Sequence, residues 1–166
     1  MALGIMVGNR IDNGVITSST PPPASNLQYF PNNTHSGTPQ STFTWVEEGN
    51  FSTGSRSNSD FSIRVTSGTA QPVMKVCVNL PNNIEYTSLN LRFWFNSSRN
   101  LLAREYGPYT QPAGSGIRNA CNSKFVVPLS NNPLPAGDYW GAINFTGRLY
   151  QSGASFPFYW TVELSS

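Results

Sequence analysis

Charge is what this sequence has least of. Ten lysines and arginines, eight carboxylates and one histidine are spread over 166 residues, for a net charge of +2. The basic residues stand singly, so no stripe of them exists to release counterions from a phosphate backbone, which argues against a nucleic-acid partner. The single histidine, His35, lies in the polar segment that precedes the main domain. A Ser-His-Asp or Cys-His centre would have to recruit it from outside the main domain, and it is expected to be a loop residue without a role. The carboxylates show no marked spacing: Glu47 and Glu48 are adjacent and would point to opposite faces of a strand, so they cannot serve as the facing pair of a glycosidase.

Long apolar runs are missing too. None approaches the roughly 20 residues that span a bilayer, so no membrane partner is expected. Met1 to Arg10 lacks a basic start, a long apolar centre and a small-residue cleavage site, and no cleaved export signal is expected. Asp12-Asn13-Gly14 lacks the later acidic ligands of a calcium loop, and a turn explains it. The two cysteines, Cys77 and Cys121, have no metal-ligand spacing. No metal, no cofactor and no enzymatic activity are therefore expected. A disulfide between the two would close a loop of about 45 residues, worth about 4 kcal/mol on a chain-entropy account, and the sequence leaves its formation open.

In place of charge the chain has neutral polar residues: Asn, Ser, Thr and Gly fill 66 of the 166 positions. Aromatic residues make up 13%, enough for a large core. Their spacing has the period of strands. Phe156, Phe158, Trp160, Val162 and Leu164 alternate, as do Tyr139, Gly141, Ile143 and Phe145 before them, and these two runs are expected to form a long antiparallel pair joined through 147–155. Further alternating runs fall at 42–47, 61–65, 73–79, 89–95, 101–106 and 124–129, separated by Gly-Asn, Asn-Ser, Pro-Asn-Asn, Gly-Pro and Asn-Asn-Pro breakers. No segment holds a helical period. The expected fold is all-β: a two-sheet antiparallel β-sandwich of about eight strands, jelly-roll or Ig-like.

The first forty residues read differently. Leu3, Ile5 and Val7 form a short apolar run, and Ile11 and Val15 flank the turn signal Asn13-Gly14, as in a small hairpin or an extended arm. Pro21-Pro22-Pro23 follows as a polyproline spacer, then a stretch rich in Pro, Asn and Ser. Residues 1–40 are expected to be an extended N-terminal arm made for assembly, and 41–166 the sandwich domain.

Strand parity turns some aromatics outward. Trp94 and Trp140 oppose the core faces of their strands, Tyr159 is outward beside Trp160, and Arg92 and Asn144 share those outer faces. If the strands are neighbours, this makes a flat platform edged by guanidinium and amide groups. Such a surface is buried against another subunit, covered within the monomer, or used to stack sugar rings. Cys77 is likewise outward by parity.

Leu91-Arg-Phe-Trp-Phe-Asn-Ser-Ser-Arg-Asn-Leu-Leu-Ala103, Lys124-Phe-Val-Val-Pro-Leu129 and Leu134-Pro-Ala-Gly-Asp-Tyr-Trp-Gly-Ala-Ile143 together resemble carbohydrate-binding-module-like domains of bacteriophage virion proteins. The resemblance spans roughly residues 89–146. It implies a non-catalytic virion protein, a capsid decoration (cement) protein or a tail or fibre component, located in the virion, with other virion proteins and further copies of itself as partners. Secreted modules and adhesins that bind surface glycans share the pattern, with an extracellular or cell-surface location. Ala136-Gly-Asp-Tyr139 is also similar to the final strands of pilus subunits completed by a donated strand.

Overall fold

The computed structural model describes residues 11–12, 15–16, 25–79, 84–112, 125–127, 131–149, 153 and 155–166. Among these there is no helix. The strands are β1 (Ile11–Asp12), β2 (Val15–Ile16), β3 (Leu27–Phe30), β4 (Thr42–Phe51), β5 (Gly54–Ala70), β6 (Val73–Asn79), β7 (Ile84–Trp94), β8 (Leu102–Pro112), β9 (Phe125–Val127), β10 (Leu134–Leu149) and β11 (Phe156–Ser165). One sheet has the order β3-β5-β10-β7-β8; the second has β4-β11-β6 with the short β9 at its edge. All their pairings are antiparallel. β1 and β2 pair only with each other, Ile11 opposite Ile16 and Asp12 opposite Val15, the small hairpin that Asn13-Gly14 suggests.

The order has a simple origin. From β4 onward the first strand pairs with the last (β4 with β11), the second with the second-last (β5 with β10), the third with the third-last (β6 with β9), and β7 with β8. A single long hairpin has been rolled up, and the extra pairs β10–β7 and β11–β6 close each sheet. This is jelly-roll topology, so of the two expected sandwich types the Ig-like one is set aside.

Two expectations are corrected here. β10 and β11 do not pair with each other; each is central in a different sheet. Alternation states which residues face the core, and both runs do face it, but it carries no information about the partner strand. The two strands meet through the core, Phe145 on β10 lying 4.3 Å from Trp160 on β11 between ring centroids. The second correction concerns the domain boundary near Ser41. Leu27–Phe30 is an edge strand of the larger sheet, with Leu27 opposite Val65 and Tyr29 opposite Ile63, and Leu27, Tyr29 and Phe30 are buried. The sandwich therefore already includes Leu27–Phe30. A strand of four residues between proline-rich stretches leaves too short an alternation to read.

Aromatic rings fill the space between the sheets. Phe43 stacks on Phe61 at 4.3 Å, Phe61 meets Phe93 edge-on at 6.2 Å, Phe93 meets Tyr106 at 6.3 Å, and Trp45 meets Trp160 at 5.7 Å. Such pairs add about 0.5–1.5 kcal/mol each beyond area burial. Buried tyrosines also tie backbone: Tyr29 Oη donates to the Ser165 carbonyl on the opposite sheet at 2.9 Å, Tyr106 Oη to that of Asn132 at 2.8 Å, and Tyr139 Oη back to that of Pro135 at 2.7 Å. The last bond is the tyrosine-corner arrangement, hidden in Leu134-Pro-Ala-Gly-Asp-Tyr139. Burial, with Tyr106 nearby, pushes the Tyr29 phenol far above its ordinary range, so it stays a donor at all physiological pH.

One backbone position has no room for a side chain. A Cβ at Gly141 would lie 2.2 Å from the Phe61 ring. Gly141→Ala is expected to destabilise by about 1–3 kcal/mol through overpacking, read as a fall of roughly 2–4 °C in Tm per kcal/mol. Adding Phe61→Leu should recover part of the loss. An unchanged thermal transition in the single variant would show that the Phe61 ring yields freely.

Candidate functional site

The outer face of the larger sheet carries one rung that runs across all five strands: Phe30 opposite Ser62, Ser62 opposite Trp140, Trp140 opposite Trp94, and Trp94 opposite Leu102. The sequence places Trp94 and Trp140 on one surface, and the register makes them direct neighbours. Arg92 and Asn144 share that face. Tyr159 does not: it lies on β11, outward on the opposite sheet, where its Oη accepts from Thr161 Oγ1 at 2.9 Å. Parity gives an outer face to each strand without saying which sheet the strand joins.

Trp140 is covered by its own chain. Residues 31–36, between β3 and β4, fold back over the rung. Trp140 Nε1 donates to the Asn33 carbonyl at 2.7 Å, and Ser62 Oγ, fully buried, donates to the Asn32 carbonyl at 2.7 Å. Asn32 shapes the turn by accepting from the Thr34 amide at 3.0 Å. The His35 ring lies 4.6 Å from Trp140 and 5.8 Å from Phe30, edge-on to both. Its Nε2 sits 3.1 Å from both the Ile63 and the Tyr139 carbonyl oxygens. Two carbonyls can only accept, so Nε2 carries the hydrogen. His35 is thus no idle loop residue; it pins the loop to β5 and β10. The fold, not the sequence, brings those strands beneath it, and its positive φ of 52° was not legible either.

The far end of the rung is held from the β7–β8 turn. Arg99, also at positive φ, places its guanidinium 6.0 Å from the Trp94 ring centroid. Its Nη2 donates to Asn33 Oδ1 at 2.8 Å and to the Ser59 carbonyl. Asn33 Nδ2 donates to Asp60 Oδ1 at 3.2 Å, so Asn33 joins the loop, the β5 bulge and the β7–β8 turn. The expected platform is largely an internal brace.

Flanking rungs use the scarce charges. Arg64 grips Asp138 through two bonds of 2.6 and 2.9 Å and lies 5.5 Å from the Phe30 ring centroid. The hydrogen bond from Arg64, aided by His35, holds the Asp138 carboxyl below its usual range. Arg92 pairs with Glu105 at 2.7 Å, and Asn90 donates to the same oxygen at 2.9 Å. Among the described residues no three His, Cys, Asp or Glu side chains come close enough to hold a metal ion. Cys77 is disulfide-bonded and buried on the outer side of β6; the chain's other cysteine, Cys121, lies outside the described residues. So do Leu3, Ile5 and Val7, while Ile11 and Val15 fall in the hairpin.

Removing the loop's pin should uncover the rung. His35→Ala is expected to shift tryptophan emission to the red and lower Tm with the far-ultraviolet spectrum unchanged; emission identical to the parent would mean that the loop holds without it. Asp138 has a depressed folded-state pKa, so its stabilisation is present above the unfolded value of about 3.9 and lost as pH falls through the folded one. Asp138→Asn should flatten the acid limb of the Tm–pH profile only slightly, because the pair is partly exposed. No protein-family model, curated protein or solved structure matches the chain.

Proposed function

We propose that the chain is a non-catalytic structural subunit of a larger particle, most specifically a bacteriophage capsid decoration or tail-associated protein, attached through the residues before Ser25. The observation that carries this reading is the separation of the β1–β2 hairpin from both sheets of the sandwich. An isolated hairpin of two rungs is marginally stable at best in water and gains stability from a surface to lie on. On the sandwich itself, the exposed apolar residues Phe95, Leu101 and Leu102 at the β7–β8 turn support burial against a neighbour. The virion assignment itself rests on the resemblance of residues 89–146.

The glycan-binding alternative relies on stacking at Trp94 and Trp140. It is less favoured, because His35 already occupies the Trp140 ring and Arg99 lies against Trp94. Deleting residues 1–23 is expected to leave Tm unchanged and to abolish oligomers or particle attachment, followed by sedimentation velocity and by occupancy on purified particles. Equal attachment by the truncated chain would remove the arm from the reading. Retention of the parent on a glycan array, lost in Trp94→Ala, would favour the alternative.

A further inference from the structure

Each sheet edge in the sandwich leaves a row of backbone N–H and C=O groups available to another strand unless something blocks it. Three of the four edges are blocked or short. β3 has four residues, and the bond pair between Tyr29 and Gln40, at 2.9 and 2.8 Å, closes its outer side. β8 carries Pro108 and Pro112, which donate nothing, and a register shift opposite Leu89 to Leu91. β9 has three residues.

β4 differs. It runs for ten residues with no proline, pairs with β11 over ten uninterrupted rungs, and among the described residues has no strand on its other side. Its far end is occupied, since the Asn50 carbonyl accepts from Arg56 Nη2 at 3.3 Å, while among the described residues no strand pairs with Thr42–Glu48 on that side. Along that stretch Phe43 and Trp45 face the core, while Thr44, Val46 and Glu48 face out and Val46 is 52% exposed. Among the described residues the larger sheet has five strands and the smaller four, so the position beside β4 has no counterpart to β3.

We propose that the open edge of β4 receives Leu3–Val7 of a second copy of this chain as an added strand. The proposal rests on the assembly reading above and names its contact. Residues 1–10 lie outside the described residues, so their sequence alone enters. Leu3, Ile5 and Val7 alternate with Gly4 and Met6, the period of a strand with one apolar face. With Ile5 opposite Val46, that face continues the outer row and covers the exposed valine. Met1 to Asn9 contains no charged side chain, so nothing of like sign meets Glu48, and the chain's first basic residue, Arg10, supplies the complementary charge at one end. Strand addition of this kind draws affinity from the main chain and register from alternate side chains. A second copy is favoured over the same chain because the sequence sets Pro21-Pro22-Pro23 between this segment and the sandwich, and a run of that composition favours an extended spacer of about 3.1 Å per residue over a tight return.

The test mixes two full-length chains, one carrying Ile5→Cys and one Val46→Cys, under mild oxidation, with Ser57→Cys on the other sheet as control. The expected result is a disulfide-linked dimer of Ile5→Cys with Val46→Cys and none with the control. Val46→Lys in the parent should weaken self-association about tenfold in sedimentation. Oligomers that form without this cross-link would overturn the β4 contact and leave the assembly reading standing. In a further chain carrying both Ile5→Cys and Val46→Cys, a cross-link that forms only within single chains would show the arm folding back on its own edge and overturn the second-copy proposal. A strictly monomeric chain with no cross-link would remove both.

Discussion

The contact between Phe145 and Trp160 is the one on which the rest of the sandwich depends. Each ring belongs to the central strand of its sheet, so the contact fixes how far apart the two layers sit and which rungs face each other. Trp45 then has Trp160 to lean on, and Phe43, Phe61, Phe93 and Tyr106 continue the row of rings toward the other end. Fully burying a ring of this size contributes about 1.5–3 kcal/mol, and a dozen such groups outweigh any polar term in this chain. Gly141 belongs to the same constraint, because Phe61 has room only where β10 has no side chain.

What the sequence made legible follows from that packing. Period two names the inward residues, and Tyr139, Ile143, Phe145, Trp160, Val162 and Leu164 are all buried. The same period is blind to which sheet a strand enters, and for that reason β10 and β11 read as a pair although they face each other across the core. Tyr159 was joined to Trp94 and Trp140 by the same blindness. β3 escaped because four residues carry too few alternations; only its burial against β5 reveals it.

The outer rung shows a second limit. Outward by parity is not the same as exposed, since a loop can return over a sheet face. Here the loop is held by carbonyls of Asn32 and Asn33 and by the His35 ring, groups whose partners lie 28 to 107 positions away in the chain. No local pattern announces contacts of that separation. The one legible hint was compositional: a lone histidine and paired asparagines between two strands offer donors and acceptors that a short loop can spend on backbone.

The scarcity of charge takes on a use in this light. Of the four ion pairs among the described residues, Arg64–Asp138, Lys75–Glu163 and Arg92–Glu105 join residues directly opposite each other on neighbouring strands. Each is partly exposed and contributes little to stability. A slip of one residue in any of these strands would separate the pair it carries and turn that strand's core residues outward, so the ion pairs and the apolar alternation select the same alignment. Arg56–Glu47 is the exception. It joins β5 to β4, and Glu47 also accepts from Trp45 Nε1 at 3.1 Å, so its charge closes the end of the core beside the ring contact that sets the layer spacing. A chain with so few charged groups has placed three of the four ion pairs among its described residues where alignment, more than binding energy, is at stake.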